Sequence, residues 1–117
     1  MLQFSRQKKK SKKSKGDYRN EKVEVKEAVA YNAPGHFDMR AIRLHSKEES
    51  GCENFTLGMS HFLPGGGTEY VEPPVELIYF ILEGEMTVSD KDGNEICTLK
   101  KHDSMHFDDR GRKIYLK

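Results

Sequence analysis

The chain of 117 residues has no tryptophan, two cysteines, four prolines and no long apolar stretch. Without a run of about 18 apolar residues, no segment is expected to span a membrane, and the lysine-rich start lacks the apolar core of a signal peptide. Cys52 and Cys97 lie far apart and lack the C-x-x-C spacing of a redox or zinc site, so reduced thiols are expected. These absences favour a cytoplasmic protein with one domain.

The net charge of +1 conceals an uneven distribution. Residues 1–16 carry seven positive side chains and no acid, which leaves 20 − 7 = 13 positive and 19 negative side chains in residues 17–117, a net charge of −6. Few apolar residues and strong self-repulsion predict a disordered basic tail, assigned to residues 1–20. The tail could tether the protein to nucleic acid or to an anionic surface, or be a solvated segment or an extension from a misassigned start codon. No aromatic or arginine residues are interleaved with its lysines to read bases, and no base-reading motif accompanies them.

The rest of the chain, residues 21–117, has the alternating apolar pattern of short β-strands separated by turns. Strands are expected at residues 23–31, 36–45, 53–63, 75–82, 86–88 and 96–100. The sequence PGGG at 64–67 predicts a chain reversal, since proline has no amide donor and glycine readily enters positive φ. Residues 46–51, SKEESG, are interpreted as a charged turn.

Two strands place polar side chains among apolar ones. His61 alternates with Phe55, Leu57, Met59 and Leu63, so if this apolar face is the interior, His61 points into a cavity or is a hydrogen-bonded core residue. Tyr79 and Phe80 point to opposite faces of the next strand, so one faces the interior and the other faces outward. An apolar outward side chain implies a second buried surface.

Residues 65–84 resemble the first conserved motif of the cupins, which are small antiparallel jelly-roll barrels. That motif is a glycine, five residues, His-x-His, three or four residues, Glu, six residues and a glycine. With its two glycines on Gly65 and Gly84 every spacing fits, but the histidine positions hold Val71 and Pro73 and the glutamate position holds Leu77. Only a one-residue bulge would bring Glu76 to the position of the carboxylate.

Residues 102–117 resemble the start of the second cupin motif. Counting on from His102 puts Lys113 at the histidine and Lys117 at the asparagine, so the fourth metal ligand is also absent. Cupins have one or two further strands after this motif. Either the amino-terminal strand or a partner strand covers the apolar edge at residues 114–116, or the chain is a truncated member.

The resemblance implies an all-β, cupin-like antiparallel barrel and a homodimer. The leading hypothesis is a module that binds a small, apolar or weakly polar ligand in the barrel, without a His-coordinated metal. An alternative is an isomerase, dioxygenase or decarboxylase with an atypical divalent metal or a Glu/His acid-base pair; a third is a nucleic-acid-tethered sensor. The candidate ligand-binding residues are His61, Glu72, Glu76, Tyr79 and His106.

Overall fold

The computed structural model of the chain describes residues 1–6, 20–69, 75–108 and 115–116. Apart from one turn of 3-10 helix (Val25–Glu27) and the four-residue helix α1 (Lys47–Ser50), the regular structure in these ranges is β. The strands are β1 (Leu2–Arg6), β2 (Val29–Tyr31), β3 (His36–His45), β4 (Phe55–Thr68), β5 (Leu77–Phe80), β6 (Met86–Ser89), β7 (Glu95–Leu99), β8 (Ser104–Phe107) and β9 (Tyr115–Leu116). The prediction of an all-β protein is confirmed.

The strands form two antiparallel sheets. The larger has the order β2-β3-β4-β1-β5-β8 and the smaller the order β7-β6-β9. No pairing within the described residues joins the two sheets, so they face each other without closing into a continuous barrel. The architecture is therefore an open, barrel-like pair of sheets.

The core lies between the two sheets. The larger sheet contributes Leu77, Tyr79 and Phe107, and the smaller contributes Met86 and Val88, all nearly inaccessible to solvent. We call the face of the larger sheet that carries Tyr79 its inner face, and the opposite face, which carries Ile78, its outer face. Side chains alternate between these faces along each strand because the strand repeat is two residues.

The first six residues do not belong to a disordered tail. β1 lies between β4 and β5, where Leu2 pairs with Met59 on one side and Phe80 on the other. Leu2 and Phe4 alternate with polar residues, so they form one apolar side of the segment. The two flanking strands provide hydrogen-bond partners for its backbone N–H and C=O groups. The predicted tail is thus wrong for residues 2–6, while residues 7–19 lie outside the described part of the chain.

The glycine-rich segment also differs from its prediction. The chain does not reverse at residues 64–67, because β4 continues to Thr68 and pairs there with His36 of β3. A register shift between Phe37 and Met39 accommodates the segment. Asp38 in the shift has φ 50° and Gly65 has φ 85°. The glycines therefore bend a long strand where the sequence favours a turn.

The other boundaries agree with the sequence in most places. β3 spans the predicted residues 36–45, while the first predicted strand, 23–31, is regular only at Val29–Tyr31. The predicted turn at 46–51 contains α1, whose Glu48 amide donates to the Ser46 hydroxyl and which ends at Gly51 with φ 71°. A serine cap and a left-handed glycine are the usual signals of such a helix. No helix in the described ranges is long and apolar enough to cross a membrane.

Candidate functional site

A cavity of about 560 Å³ lies at the end of the larger sheet, where β4 bends past the turn between β5 and β6. We call it the turn cavity; it is lined by Met1 and by residues 59–66 and 81–86. The α-amino group of Met1 donates to the carbonyl of Ser60 at 2.8 Å, and burial lowers the pKa of this amine. The apolar part of the lining comes from Met1, Met59, Phe62, Leu63, Pro64, Ile81, Leu82 and Met86.

His61 is the predicted site residue that lines the turn cavity. It pairs with Arg40 of β3 and its side chain is exposed. The apolar face that carries His61 is not the interior, because the inner face of β4 carries Ser60, which is buried. His61 reaches the cavity because the cavity lies at the bend of β4.

Glu83 and Glu85 also line the turn cavity. Glu83 is fully exposed; a hydrogen bond to Lys101 lowers its pKa, and the charge of Lys101, 2.8 Å away, adds to the effect. Neither carboxylate is among the candidate residues predicted from the sequence. The available signal was that they flank Gly84, the second glycine of the segment that resembles the first cupin motif.

Glu76 and His106 form a pair on the outer face. His106 Nε2 lies 2.8 Å from Glu76 Oε2, and both side chains are about half exposed. The registers of β5 with β1 and β8 show no shift, so no bulge moves Glu76 to the inner face. Glu76 also borders a groove of about 340 Å³, the outer groove, lined by Phe4, Arg6, Asn54, Phe55, Glu76 and Ile78.

Tyr79 is a core residue. Its ring packs edge-on against Phe107, with the ring centres 4.9 Å apart. Burial raises its pKa to about 12, and Tyr31 contributes to the rise. The phenol therefore stays protonated at neutral pH. Glu72 lies outside the described residues.

The predicted residues do not come together at one site. Leu2 of β1 pairs with both Met59 and Phe80, so these two residues lie at the same level of the sheet. β4 and β5 run in the same direction. His61 therefore lies two residues past this level, whereas Glu76 lies four residues short of it. Six residues of strand correspond to roughly 20 Å. His61 therefore cannot share a ligand with Glu76 or with the histidine bonded to it.

The chain does not fit the metal centre of the cupins. Leu77, at the position of the carboxylate, is buried in the apolar core, and Val71 and Pro73, at the histidine positions, have no side-chain donor atom. Among the described residues, no group of three His, Cys, Asp or Glu side chains could hold a metal ion.

The comparisons with known proteins identify a relative. The chain is 36% identical over 81 residues to beta-D-galactosidase Rv1717 of Mycobacterium tuberculosis, an alignment covering 69% of this chain and 68% of that protein. No protein-family profile matches the chain, and no solved structure matches it significantly. The chain belongs to the family of Rv1717.

Proposed function

We propose that this chain is a small-molecule-binding protein of cupin-like architecture whose ligand occupies the turn cavity. The volume of about 560 Å³ carries the proposal, because ligand sites are typically concave spaces of several hundred Å³ with an apolar wall and a few polar groups. Here the apolar wall surrounds His61, Glu83 and Glu85. These three side chains would orient the ligand.

A β-D-galactoside is the proposed ligand class. The relative's name states that it is a beta-D-galactosidase. A galactoside presents an apolar ring face and a polar rim, so it matches a cavity whose wall is apolar and whose polar groups are a histidine and two carboxylates. Methionine and phenylalanine side chains would contact the ring, while His61 and the glutamates would bond its hydroxyl groups.

Hydrolysis of the galactoside is the second candidate function, and the name of the relative favours it. Glycoside hydrolysis generally uses one ionised carboxylate and one carboxylic acid with a raised pKa. The lowered pKa of Glu83 suits the first role and not the second, so Glu85 would have to be the acid. We place binding first because Glu83 is already paired with Lys101.

The metal-dependent reactions of cupins have little support in the described residues. They would need donors that converge, whereas His61 is separated from the Glu76–His106 pair by roughly 20 Å along the strands. Elemental analysis of protein purified without affinity nickel checks this independently. A stoichiometric transition metal that disappears in His61→Ala would overturn the proposal of a metal-free cavity.

Calorimetric titration with methyl β-D-galactoside tests the binding proposal. We expect His61→Ala to weaken binding by about tenfold, the effect of losing one good hydrogen bond. His106→Ala is the matched control, because His106 lies outside the turn cavity and should leave the affinity unchanged. No binding by the wild type, or equal losses in both variants, would contradict the proposal.

A chromogenic β-D-galactoside tests hydrolysis in the same preparations. If the second candidate function is correct, Glu83→Gln and Glu85→Gln both abolish turnover while binding persists. Turnover that survives both substitutions would exclude these carboxylates as the acid and the base. Binding without turnover in the wild type would leave the binding function alone.

We further propose that the protein is a homodimer through the outer face. Phe4, Phe55 and Ile78 are between about one third and one half exposed there, and the rings of Phe4 and Phe55 lie 4.8 Å apart. An apolar surface of this kind on a small domain favours burial against another molecule, and a second copy offers the same surface. The nucleic-acid tether stays a prediction, since residues 7–19 lie outside the described ranges.

A further inference from the structure

A second cavity, of about 300 Å³, lies against β1, β2, β3 and β4, and we call it the sheet cavity. Its lining includes Gln3, Tyr31, Arg43, Lys47, Glu48 and Gly58. It shares no lining residue with the turn cavity. The proposal made for it is therefore independent of the proposed function.

A row of paired residues explains why a cavity forms here. Arg43 of β3 pairs with Gly58 of β4, Gly58 pairs with Gln3 of β1, and Gln3 pairs with Tyr79 of β5. Directly paired residues point to the same face of a sheet, so the row projects from the inner face. Gly58 has no side chain, and this leaves a gap in the row between Arg43 and Gln3.

Neighbouring groups border this gap. A Cβ atom added to Gly58 would lie 3.7 Å from the hydroxyl of Tyr31 and 3.3 Å from the carbonyl oxygen of Ile42. The Thr56 hydroxyl, which also lines the cavity, is hydrogen-bonded to Ser5. Hydroxyl and amide groups thus surround the space that the glycine leaves open.

Arg43 is positioned at the cavity by contacts that leave its guanidinium N–H donors available. Its guanidinium carbon lies 4.5 Å from the centre of the Tyr31 ring, which orients the group without using its N–H donors. Its Nη1 is 3.9 Å from Glu49, beyond hydrogen-bond distance. The buried Ser46 hydroxyl donates to Glu49, which fixes this carboxylate at the side. Arg43 can therefore still form a planar, two-point contact with a carboxylate.

The charges around Arg43 define the kind of anion. Lys47 adds a second positive charge, whereas Glu48 in the lining and Glu49 beside Arg43 add two negative charges. A dianion such as phosphate would be repelled by these carboxylates, whereas a single carboxylate on Arg43 is tolerated. The remaining polar groups suit hydroxyls on the same ligand.

We propose that the sheet cavity binds a small hydroxylated monocarboxylate, such as a sugar acid, with its carboxylate on Arg43 and its hydroxyls on Gln3, Tyr31 and Thr56. Arg43 sets the requirement for the negative charge. The gap at Gly58 provides the space for the carbon skeleton of the ligand. Nothing in this site depends on the galactoside of the turn cavity.

Calorimetric titration of the full chain with three probes tests the proposal. D-Galacturonate carries both chemical features, D-galactose lacks the charge, and acetate lacks the hydroxyls. We expect D-galacturonate to bind at least about tenfold more tightly than either of the others, because only it satisfies both parts of the site. Failure of D-galacturonate to bind, or acetate binding equally tightly, would overturn the proposal.

Paired variants locate the binding. Arg43→Gln should weaken D-galacturonate binding by about tenfold or more. Arg40→Gln makes the same change three residues away on β3, at an exposed position that pairs with His61, and should have no effect. His61→Ala should likewise leave D-galacturonate binding unchanged. Loss of binding in His61→Ala but not in Arg43→Gln would place the ligand in the turn cavity and overturn the proposal.

Gly58→Ala supplies a second readout that leaves every charge in place. The added methyl group enters the gap between Arg43 and Gln3, so it should reduce D-galacturonate affinity while the circular dichroism spectrum stays native. This variant also decides the matter if Arg43→Gln fails to fold. Unchanged affinity in a folded Gly58→Ala protein would show that the ligand does not use the gap, contrary to the proposal.

Discussion

His106 Nε2 lies 2.8 Å from Glu76 Oε2, although the two residues are 30 positions apart in sequence. β5 and β8 bring them together on the outer face, where Ile78 pairs directly with His106. Because both side chains are about half exposed, the pair itself contributes no more than about 1 kcal/mol to stability. Its significance is its position at the border of the outer groove.

The proposed homodimer predicts that a charge on the outer face separates the copies. Ile78→Asp should convert a dimer into a monomer in sedimentation velocity, since an unpaired carboxylate would be buried in the interface. Ile96→Asp is the matched control, because Ile96 is also exposed, at 52% against 42% for Ile78, but lies on the smaller sheet. A monomeric wild type, or dissociation by both variants, would contradict the proposed interface.

The position of β1 predicts that its backbone is essential to the sheet. Gln3→Pro should destabilise the protein by about 1–3 kcal/mol, because proline removes an amide donor from a strand paired on both sides. Gln3→Thr keeps the amide and suits a strand, so it serves as the control. Urea denaturation measures both variants. Equal stability of the proline variant and the wild type would mean that β1 is not part of the sheet.

The bend in β4 predicts unequal effects at neighbouring glycines. A Cβ at Gly66 would lie 2.4 Å from the carbonyl oxygen of Asp38, so Gly66→Ala requires the backbone to move. We expect a loss of at least about 2 kcal/mol. Gly65 has φ 85° but open space around it, so Gly65→Ala should cost only about 1–2 kcal/mol. Thermal or urea unfolding gives the order of the two, and the reverse order would contradict the bend.

The buried phenol of Tyr79 predicts an alkaline loss of stability. Its folded-state pKa of about 12 exceeds the ordinary tyrosine value of 10.0, so folding favours the neutral phenol. This contribution is complete below the unfolded-state pKa and is lost as the pH rises through the folded-state value. Over that interval the wild type should lose up to about 3 kcal/mol more than Tyr79→Phe. Denaturant midpoints across the pH series test this, and parallel curves would contradict it.

The fold could be predicted where the signal is local. The alternation of apolar residues located β3 at residues 36–45. β1 was missed because Leu2 and Phe4 are too short a pattern beside seven positive charges, and because its partner strands begin at residues 55 and 77. The PGGG segment was misjudged because a partner strand with a bulge at Asp38 lets the chain continue.

The candidate sites were harder to predict for the same reason. Nothing near Glu76 in the sequence specifies His106, since their contact needs the register of two strands. The sheet cavity depends on β1, so it could not be foreseen while residues 1–20 were interpreted as a tail. His61 was identified by its chemistry, but its face was inferred from apolar alternation, and the outer face of this sheet is also apolar.

The position of β1 also determines the order of assembly during synthesis. β1 leaves the ribosome before either of its neighbours, yet its pairing with β5 requires residue 80, since Leu2 pairs with Phe80. Until then β1 can pair only with β4, and its other edge is bare. Such long-range pairing slows folding, and an open edge during translation favours pairing with other chains. Growth temperature and translation speed should therefore affect the soluble yield of this protein more than its equilibrium stability would suggest.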